Sequence, residues 1–174
     1  MKLLDLCCGL KGVSSVFEKY GWDTVTVDIN PNFNPTITAD INNLFIDEHF
    51  DFIWASPPCT EYTLQSLPAT WKCHHGKPPV LPDMRPFLNC YRIIRYLQPE
   101  YWCIENVRGS LPYISQVLGK PRRYKNQRIW GVYPICDPVM KRQDKSRIGG
   151  KNRTALRSIV PKELVTAICK GCTP

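Results

Sequence analysis

The chain has 174 residues, 43% of them hydrophobic and 22% charged, which suits one soluble globular domain and leaves little room for a second. No apolar run approaches the roughly 20 residues of a membrane span. Asp5 interrupts the short apolar start, so we expect neither a membrane helix nor a signal peptide. The nine cysteines show no framework spacing, and we therefore expect an intracellular, reduced protein.

The formal net charge of +8 is distributed unevenly. Residues 1–60 carry 3 basic and 8 acidic side chains, whereas residues 61–174 carry 20 and 7. Within residues 119–157 there are 12 basic and 2 acidic residues, with aromatic residues among them. Such a segment is typical of a nucleic-acid-binding surface, although a basic face that only maintains solubility has the same composition.

Short apolar or β-branched runs alternate with stretches of helical spacing. In chain order we predict a strand at Lys2–Leu6, a turn at Gly9–Gly12, a helix at Val13–Tyr20, strands at Thr24–Asp28, Thr36–Asp40 and Phe50–Ala55, a helix at Phe87–Leu97, strands at Tyr101–Ile104 and Arg128–Tyr133, and a helix at Pro161–Cys169. The proline-rich stretch Ser56–Pro86 is too broken to form an element. This alternation predicts an α/β fold with a mostly parallel sheet and helices on both faces.

The residues best suited to chemistry directly follow the predicted strands. They are Asp5–Gly9, Asp28, Asp40, Ser56–Cys59 and Glu105–Val107. Ligands of open parallel sheets bind outside the carboxyl ends of the strands. We therefore expect a single site along one edge of the sheet.

The first half of this edge has the features of a nucleoside site. Asp5–Gly12 is a glycine-containing turn that lacks both the phosphate-cradling ending of a P-loop and the three glycines of a dinucleotide turn. Asp28 stands where a carboxylate hydrogen-bonds a ribose diol, and Asp40 is placed to accept a hydrogen bond from an adenine amine. Ile29 and Ile41 would hold the ring between them. A nucleoside without phosphates suggests S-adenosylmethionine, although each aspartate alone equally suits a strand end or a helix cap.

Cys59 directly follows Pro57 and Pro58, which fix the path of the loop after the strand. A cysteine held in this way is either a small buried hydrophobic residue or a nucleophile directed at a substrate. Composition alone leaves both interpretations open.

The motifs, taken in order, resemble those of the cytosine-5 DNA methyltransferases. They are Asp5–Gly12, Pro58–Cys59, Glu-Asn-Val at 105–107, Lys125–Trp130 and Arg157–Leu164. In Lys125–Trp130 the chain keeps Arg128 but has Asn126 where the family usually has another arginine. The resemblance covers residues 1–135 and 153–170. It implies a Rossmann-like, S-adenosylmethionine-dependent methyltransferase fold in a single catalytic domain, 1–174.

The resemblance also implies roles for individual residues and segments. Residues 1–55 form a cofactor half, 56–86 a catalytic and substrate loop, and 87–135 a catalytic half. Residues 136–152 are a short basic connection, and 153–170 are a C-terminal cofactor-side motif. The implied catalytic residues are Cys59, Glu105 and Arg128. The expected cofactor contacts are Asp5, Cys7, Gly9, Gly12, Asp28, Ile29, Asp40, Ile41, Pro57 and Ser158. The expected nucleic-acid contacts are Arg108, Lys141, Arg142, Lys145, Arg147, Lys151 and Arg153.

This family's chemistry requires such residue types. A thiolate of Cys59 adding to cytosine C6 makes C5 nucleophilic enough to take the methyl group of S-adenosylmethionine. Glu105, with a pKa raised by burial, would act as the acid near N3, and Arg128 or Arg108 would lower the pKa of Cys59. A base inside a duplex has to be flipped out to reach such a site.

The chain departs from the family where a large target-recognition domain is usual, because only residues 135–152 separate the last two motifs. We therefore predict short or lax sequence specificity for DNA. RNA as the substrate, and a non-catalytic nucleic-acid-binding or regulatory subunit, are the alternatives. No metal is predicted: Cys169 and Cys172 have zinc-ligand spacing, but Cys73–His75 is a poor second pair.

Overall fold

The computed structural model describes residues 1–62, 81–135, 138 and 159–172. Its strands are β1 (Lys2–Leu6), β2 (Asp23–Asp28), β3 (Ile37–Thr38), β4 (Phe52–Ala55), β5 (Tyr101–Val107), β6 (Arg122–Tyr124) and β7 (Gln127–Val132). Its helices are α1 (Ser14–Lys19), α2 (Arg85–Leu97), α3 (Leu111–Leu118) and α4 (Lys162–Cys172). Short 3₁₀ turns lie at Pro31–Phe33, Thr60–Tyr62 and Arg108–Ser110.

The seven strands form one sheet in the order β3-β2-β1-β4-β5-β7-β6. Strands β1 to β5 run parallel to one another. Strand β7 runs antiparallel to both β5 and β6. The chain builds outward from β1 in one direction through β2 and β3, and in the other through β4 and β5. The reversal lies between β1 and β4, the point at which ligands bind in sheets of this type. The predicted mostly parallel α/β fold is confirmed.

Helices cover both faces of the sheet. Strand β4 shows this, because its successive side chains point to opposite faces and enter two different cores. Phe52 and Trp54 pack with Phe17 of α1 and with the apolar face of α4. Ile53 and Ala55 point the other way, into a second core shared with α2 and α3. The rings of Phe17 and Phe52 lie 5.3 Å apart in an edge-to-face arrangement.

Helix α2 follows from its sequence. Its buried residues recur at helical spacing, at Phe87, Cys90, Ile93 and Ile94. Pro86 occupies the first turn, where a missing N–H costs nothing. Gln98 ends the helix in the left-handed conformation, with φ of 46°.

The C-terminal half differs most from the sequence prediction. Helix α3 and strand β6 were not predicted, because α3 is short and buries only Ile114, and β6 has three residues of which none is buried. The predicted strand at 128–133 is present as β7, but it is antiparallel. Smaller differences affect element ends: β5 continues to Val107, whereas the third predicted strand shrinks to Ile37–Thr38. Among the described residues, no helix is long and apolar enough to cross a membrane.

Position 131 in β7 requires glycine, both because of its backbone conformation and because a side chain would have no space. Its φ is 137°, and a Cβ there would lie 2.1 Å from the carbonyl oxygen of Trp102. We expect Gly131→Ala to lower the free energy of unfolding by more than about 2 kcal/mol, the range of a strained, overpacked site. Urea denaturation measures it.

The control is Gly21→Ala, because Gly21 also has a left-handed φ, of 78°, but open space around its Cβ position. That variant should lose only about 1–2 kcal/mol, the cost of the left-handed conformation for a non-glycine residue. Equal losses in the two variants would contradict the steric argument.

Candidate active site

The turn between β1 and α1 is held in an unusual backbone conformation. Cys7, Gly9 and Lys11 have φ values of 60°, 51° and 55°. The N–H of Cys8 donates to the carbonyl oxygen of Val27 at 3.0 Å, which ties the turn to the end of β2. The loop therefore curls over the carboxyl end of the sheet.

Asp5 supports this turn from below. Its side chain is buried, and Oδ2 accepts a hydrogen bond from the N–H of Ser14 at the start of α1, at 3.2 Å. Burial raises the pKa of Asp5 to about 7, although the Ser14 hydrogen bond acts in the opposite direction. Asp5 lies beneath the cavity described below and is not one of its lining residues.

Gly12 brings the C-terminal segment against the same turn. A Cβ at Gly12 would lie 2.9 Å from Cγ2 of Ile159, so the two segments approach more closely than a side chain would allow. Ser158, predicted to contact the cofactor, lies directly before this contact but outside the described residues. The placement of Ile159 agrees with the expectation that the C-terminal motif folds back beside the cofactor half.

A cavity of about 220 Å³ opens beside the turn. Its walls are Cys7, Val27, Asp28, Ile29, Ala39, Asp40, Ile41, Asn42, Pro58 and Pro86. Cys7, Asp28, Ile29, Asp40 and Ile41 were predicted cofactor contacts. The other walls were not predicted; Val27, Ala39, Asn42 and Pro58 are direct sequence neighbours of predicted contacts, whereas Pro86 is brought here only by the folding of α2.

The two aspartates are oriented by backbone donors. Oδ2 of Asp28 accepts from the N–H of Gly9, and Oδ1 accepts from the N–H of Asn30, both at 2.9 Å. Oδ1 of Asp40 accepts from the N–H of Asn42, also at 2.9 Å. Each carboxylate oxygen can accept a second hydrogen bond, so both aspartates can still bind a ligand.

The donor set fits S-adenosylmethionine. Among the described residues, two carboxylates and no basic side chain line the cavity, which suits ribose hydroxyls, an amine and a positive charge but disfavours phosphates. Of the two isoleucines that line the cavity, Ile41 is buried and Ile29 is 65% exposed. An aromatic ring bound in the cavity would cover the exposed side chain of Ile29. Gly9, a predicted contact, holds Asp28 through its backbone.

Cys59 lies half-buried in the loop after β4. The side-chain amide of Asn106 donates to the carbonyl oxygen of Pro57 at 3.1 Å, and the N–H of Tyr62 donates to the carbonyl oxygen of Cys59 at 3.0 Å. Glu105, buried near the end of β5, is close enough for its charge to act on the thiol. The structure thus brings Cys59 and Glu105 together, as predicted, and adds Asn106 as a residue that holds the loop.

Burial first, and the Glu105 carboxylate second, raise the pKa of Cys59 above its ordinary value. The sequence predicts that neighbouring arginines lower this pKa. Among the described residues no arginine does so, and the thiol is the resting form of Cys59 at neutral pH.

Arg128 points away from Glu105. It pairs across the strands with Asn106, whereas Glu105 pairs with Ile129, and adjacent residues of a strand project from opposite faces. The Nη1 atom of Arg128 donates to the carbonyl oxygens of Lys125 and Gln127, at 3.0 and 2.8 Å. Its catalytic assignment stays a prediction, and the structure does not bring it to Cys59.

Arg128 instead belongs to an arginine cluster formed with Arg108 and Arg123. Arg123 lies directly opposite Arg128 in the β6–β7 hairpin, and its Nε donates to the carbonyl oxygen of Lys125 at 3.4 Å. Burial, Arg123 and Arg108 together lower the pKa of Arg128. Within the described part of the chain, none of the three forms an ion pair. Such a cluster attracts an anion.

The remaining predicted nucleic-acid contacts, Lys141, Arg142, Lys145, Arg147, Lys151 and Arg153, lie outside the described residues. The described ranges contain no group of three or more residues suited to a metal ion. Cys169 and Cys172 are buried in the core on α4. Cys73–His75 falls in a range that the structure does not describe.

Known structures share this fold. The chain superposes with a TM-score of 0.51, at 18% identity, on a candidate DNA modification methyltransferase encoded within an E. coli prophage, covering 75% of this chain and 45% of that one. A S-adenosylmethionine-dependent methyltransferase from Clostridium acetobutylicum is more distant, with a TM-score of 0.38, 17% identity and coverage of 71% and 48%. The first of these two likenesses, together with the sheet order, shows the Rossmann-like fold of S-adenosylmethionine-dependent methyltransferases.

Sequence comparison assigns the family. Residues 1–112 match the family of C-5 cytosine-specific DNA methylases, and the chain belongs to it. A "Probable DNA (cytosine-5)-methyltransferase" of Frog virus 3 (isolate Goorha) is 31% identical over 114 residues, which is 61% of this chain and 53% of that protein. The chain thus spans about half the length of this relative. The family match includes Cys59 and Glu105 and ends before Arg128.

Asp5 predicts a pH dependence of stability. Its folded pKa of about 7 exceeds the ordinary value of 3.8, so the folded protein holds this proton more tightly than the unfolded chain. The stabilisation is complete below the unfolded pKa and is lost as the pH rises through the folded pKa. The free energy of unfolding should fall, relative to Asp5→Asn, by about 1.4 kcal/mol per unit of pKa difference.

Urea denaturation of both proteins between pH 4 and pH 8 measures this difference. Subtracting the Asp5→Asn curve removes the contribution of all other titrating groups. Parallel curves for the two proteins would contradict the buried, neutral state of Asp5.

Proposed function

We propose that this protein transfers a methyl group from S-adenosylmethionine to C5 of cytosine in DNA through a covalent bond between Cys59 and C6. The observation that carries the proposal is the juxtaposition of Cys59, in the loop after β4, and Glu105, near the end of the adjacent strand β5. The cavity bearing Asp28 and Asp40 shares Pro58 with that loop. Membership of the cytosine-specific family supports the choice of base.

The proposed reaction begins with addition of the Cys59 sulfur to C6, while N3 takes a proton from Glu105. The ring becomes an enamine, whose C5 can take a methyl group that the cofactor would supply. A base then removes the C5 proton, the sulfur–C6 bond breaks with its electron pair returning to sulfur as the thiolate, and N3 returns its proton to Glu105. Asp28 and Asp40 would hold the cofactor.

The electrostatics of the site support a coupled proton transfer. Burial raises the pKa of Cys59, and the charge of Glu105 raises it further because a thiolate beside an ionised carboxylate is unfavourable. If the proton of Cys59 passes to Glu105, only one negative charge remains in the pair. The neutral Glu105 is then the acid that N3 requires, so one proton serves both the nucleophile and the acid.

The arginine cluster supports nucleic acid as the carrier of the base. Arg108 directly follows the strand that bears Glu105, and Arg123 and Arg128 lie on the neighbouring hairpin. Cations of this kind contact phosphates, which set position and affinity but do not read sequence. Since only residues 135–152 stand in place of a recognition domain, we propose a short or degenerate target.

Cys59→Ser should lower methyl transfer by more than about 100-fold, because a serine hydroxyl stays protonated and adds poorly to C6. Affinity for S-adenosylmethionine should change less than twofold, since Cys59 is not a wall of the cavity. Transfer of a labelled methyl group and calorimetry measure the two quantities. The control is Cys172→Ser, at the end of α4, which should keep its activity. A rate above about a tenth of wild type would exclude Cys59 as nucleophile.

Asp28→Ala should weaken S-adenosylmethionine binding by roughly 1.5–3 kcal/mol, the usual cost of losing hydrogen bonds to a charged group. Asp23→Ala is the matched control, because Asp23 begins the same strand at the opposite edge of the sheet and is 73% exposed. Calorimetry of both variants tests the assignment. Unchanged affinity in Asp28→Ala would mean that the nucleoside binds elsewhere.

Treatment of plasmid DNA with the protein and S-adenosylmethionine, followed by conversion sequencing, should reveal methylation at sites defined by a few bases at most. Methylation confined to one motif of four or more fixed base pairs would contradict the proposed lax specificity. Parallel reactions with tRNA and with single-stranded RNA test the RNA alternative. Transfer to none of these substrates, with cofactor binding intact, would identify a binding or regulatory subunit.

A further inference from the structure

The segment that carries Cys59 is held at both ends by the segment that carries Glu105. At one end, Asn106 donates its side-chain amide hydrogen to the carbonyl oxygen of Pro57. At the other end, the turn Arg108–Ser110 lies against the backbone of Tyr62. The nucleophile and the acid are therefore parts of two segments that fix each other's positions.

The contact between the turn and the backbone of Tyr62 is possible because Gly109 has no side chain. A Cβ on Gly109 would lie 1.6 Å from the carbonyl oxygen of Tyr62 and 2.8 Å from its carbonyl carbon. These are backbone atoms, so they cannot rotate away as the end of a flexible side chain could. Gly109 does not have a left-handed φ, which means that space alone requires glycine here.

The turn that bears Gly109 is itself anchored. The hydroxyl group of the buried Ser110 donates to the carbonyl oxygen of Val107 at 2.8 Å. Helix α3 begins directly after this turn, at Leu111. The turn therefore cannot easily move aside, and an added side chain would displace Tyr62 instead.

Tyr62 transmits any such displacement to Cys59. Its N–H donates to the carbonyl oxygen of Cys59 at 3.0 Å. Its buried ring lies 5.8 Å from the ring of Tyr113 on α3, and its hydroxyl group donates to Sδ of Met84 at 3.0 Å. Tyr62 thus connects the loop of Cys59 to α3 and to the residue preceding α2.

We propose that Gly109 and Tyr62 are positioning residues that set the placement of the Cys59 thiol relative to Glu105. The inference rests on the proposed function for its catalytic meaning, but the placement itself is a property of the protein alone. A displacement of about 1 Å at a reacting group can lower a rate by about 100-fold. Neither residue touches the reacting atoms.

The test compares Gly109→Ala with wild type by three measurements. The first is the rate of Cys59 alkylation by iodoacetamide between pH 6 and pH 10, followed by mass spectrometry of the peptide that contains Cys59. The second is calorimetry with S-adenosylmethionine, and the third is kcat and KM for DNA. A melting curve shows whether each variant is folded.

In Gly109→Ala we expect the alkylation rate at pH 8 to rise at least threefold, because the displaced thiol leaves both its buried position and the Glu105 carboxylate. The alkylation profile should shift to lower pH for the same reason. We expect kcat to fall by about 100-fold, with less than a threefold change in KM and in cofactor affinity. Gly21→Ala, at the other edge of the sheet, is the control and should leave all three unchanged.

A second pair of variants keeps the inference testable if Gly109→Ala does not fold. Tyr62→Ala removes the ring that packs on Tyr113 and should reproduce the alkylation and kcat changes. Tyr62→Phe keeps the ring and loses only the hydroxyl group, so it should restore wild-type alkylation and most of kcat. This rescue would not follow from a general loss of stability.

A folded Gly109→Ala with the alkylation profile and kcat of wild type would overturn the inference, as would equal effects of Tyr62→Ala and Tyr62→Phe. If the wild-type protein transfers no methyl group to any substrate, the proposed function fails. The alkylation profiles then still decide whether Gly109 and Tyr62 position the thiol.

Discussion

The candidate site depends on the in-register parallel pairing of β4 with β1 on one side and β5 on the other. Leu6 pairs with Ala55, and Ala55 in turn pairs with Ile104, so β1 and β4 end at the same level and Glu105 lies one residue past that level in β5. Strand pairing alone therefore brings together the turn after β1, the loop of Cys59 and Glu105. A slip of one residue in β4 would exchange its two faces and remove Trp54 from its core.

Charge is separated along this edge of the sheet. The cavity is lined by two aspartates and no basic residue, whereas Arg108, Arg123 and Arg128 gather on the other side of Cys59. A cationic cofactor and a polyanionic substrate would each meet the opposite charge, and the two would approach the thiol from different directions.

The sequence predicted the parallel half of the fold and the residues at its strand ends, because strand ends and ligand sites coincide in parallel sheets. Asp28, Ile29, Cys59 and Glu105 were found in this way. The direction of β7 was not predictable, and with it the face on which Arg128 lies, because the pattern of a short strand does not reveal which way it runs. Gly109 was missed since its importance comes from a backbone that is distant in sequence.

The contact between Gly12 and Ile159 has a consequence for how the protein forms. It joins the turn before α1 to a segment far along the chain, and α1 shares its core with α4. Contacts of such sequence separation form slowly, so Val13, Val16 and Phe17 stay uncovered on one side during folding until α4 packs against them. That helix face is the apolar surface that a chaperone would meet while folding is incomplete.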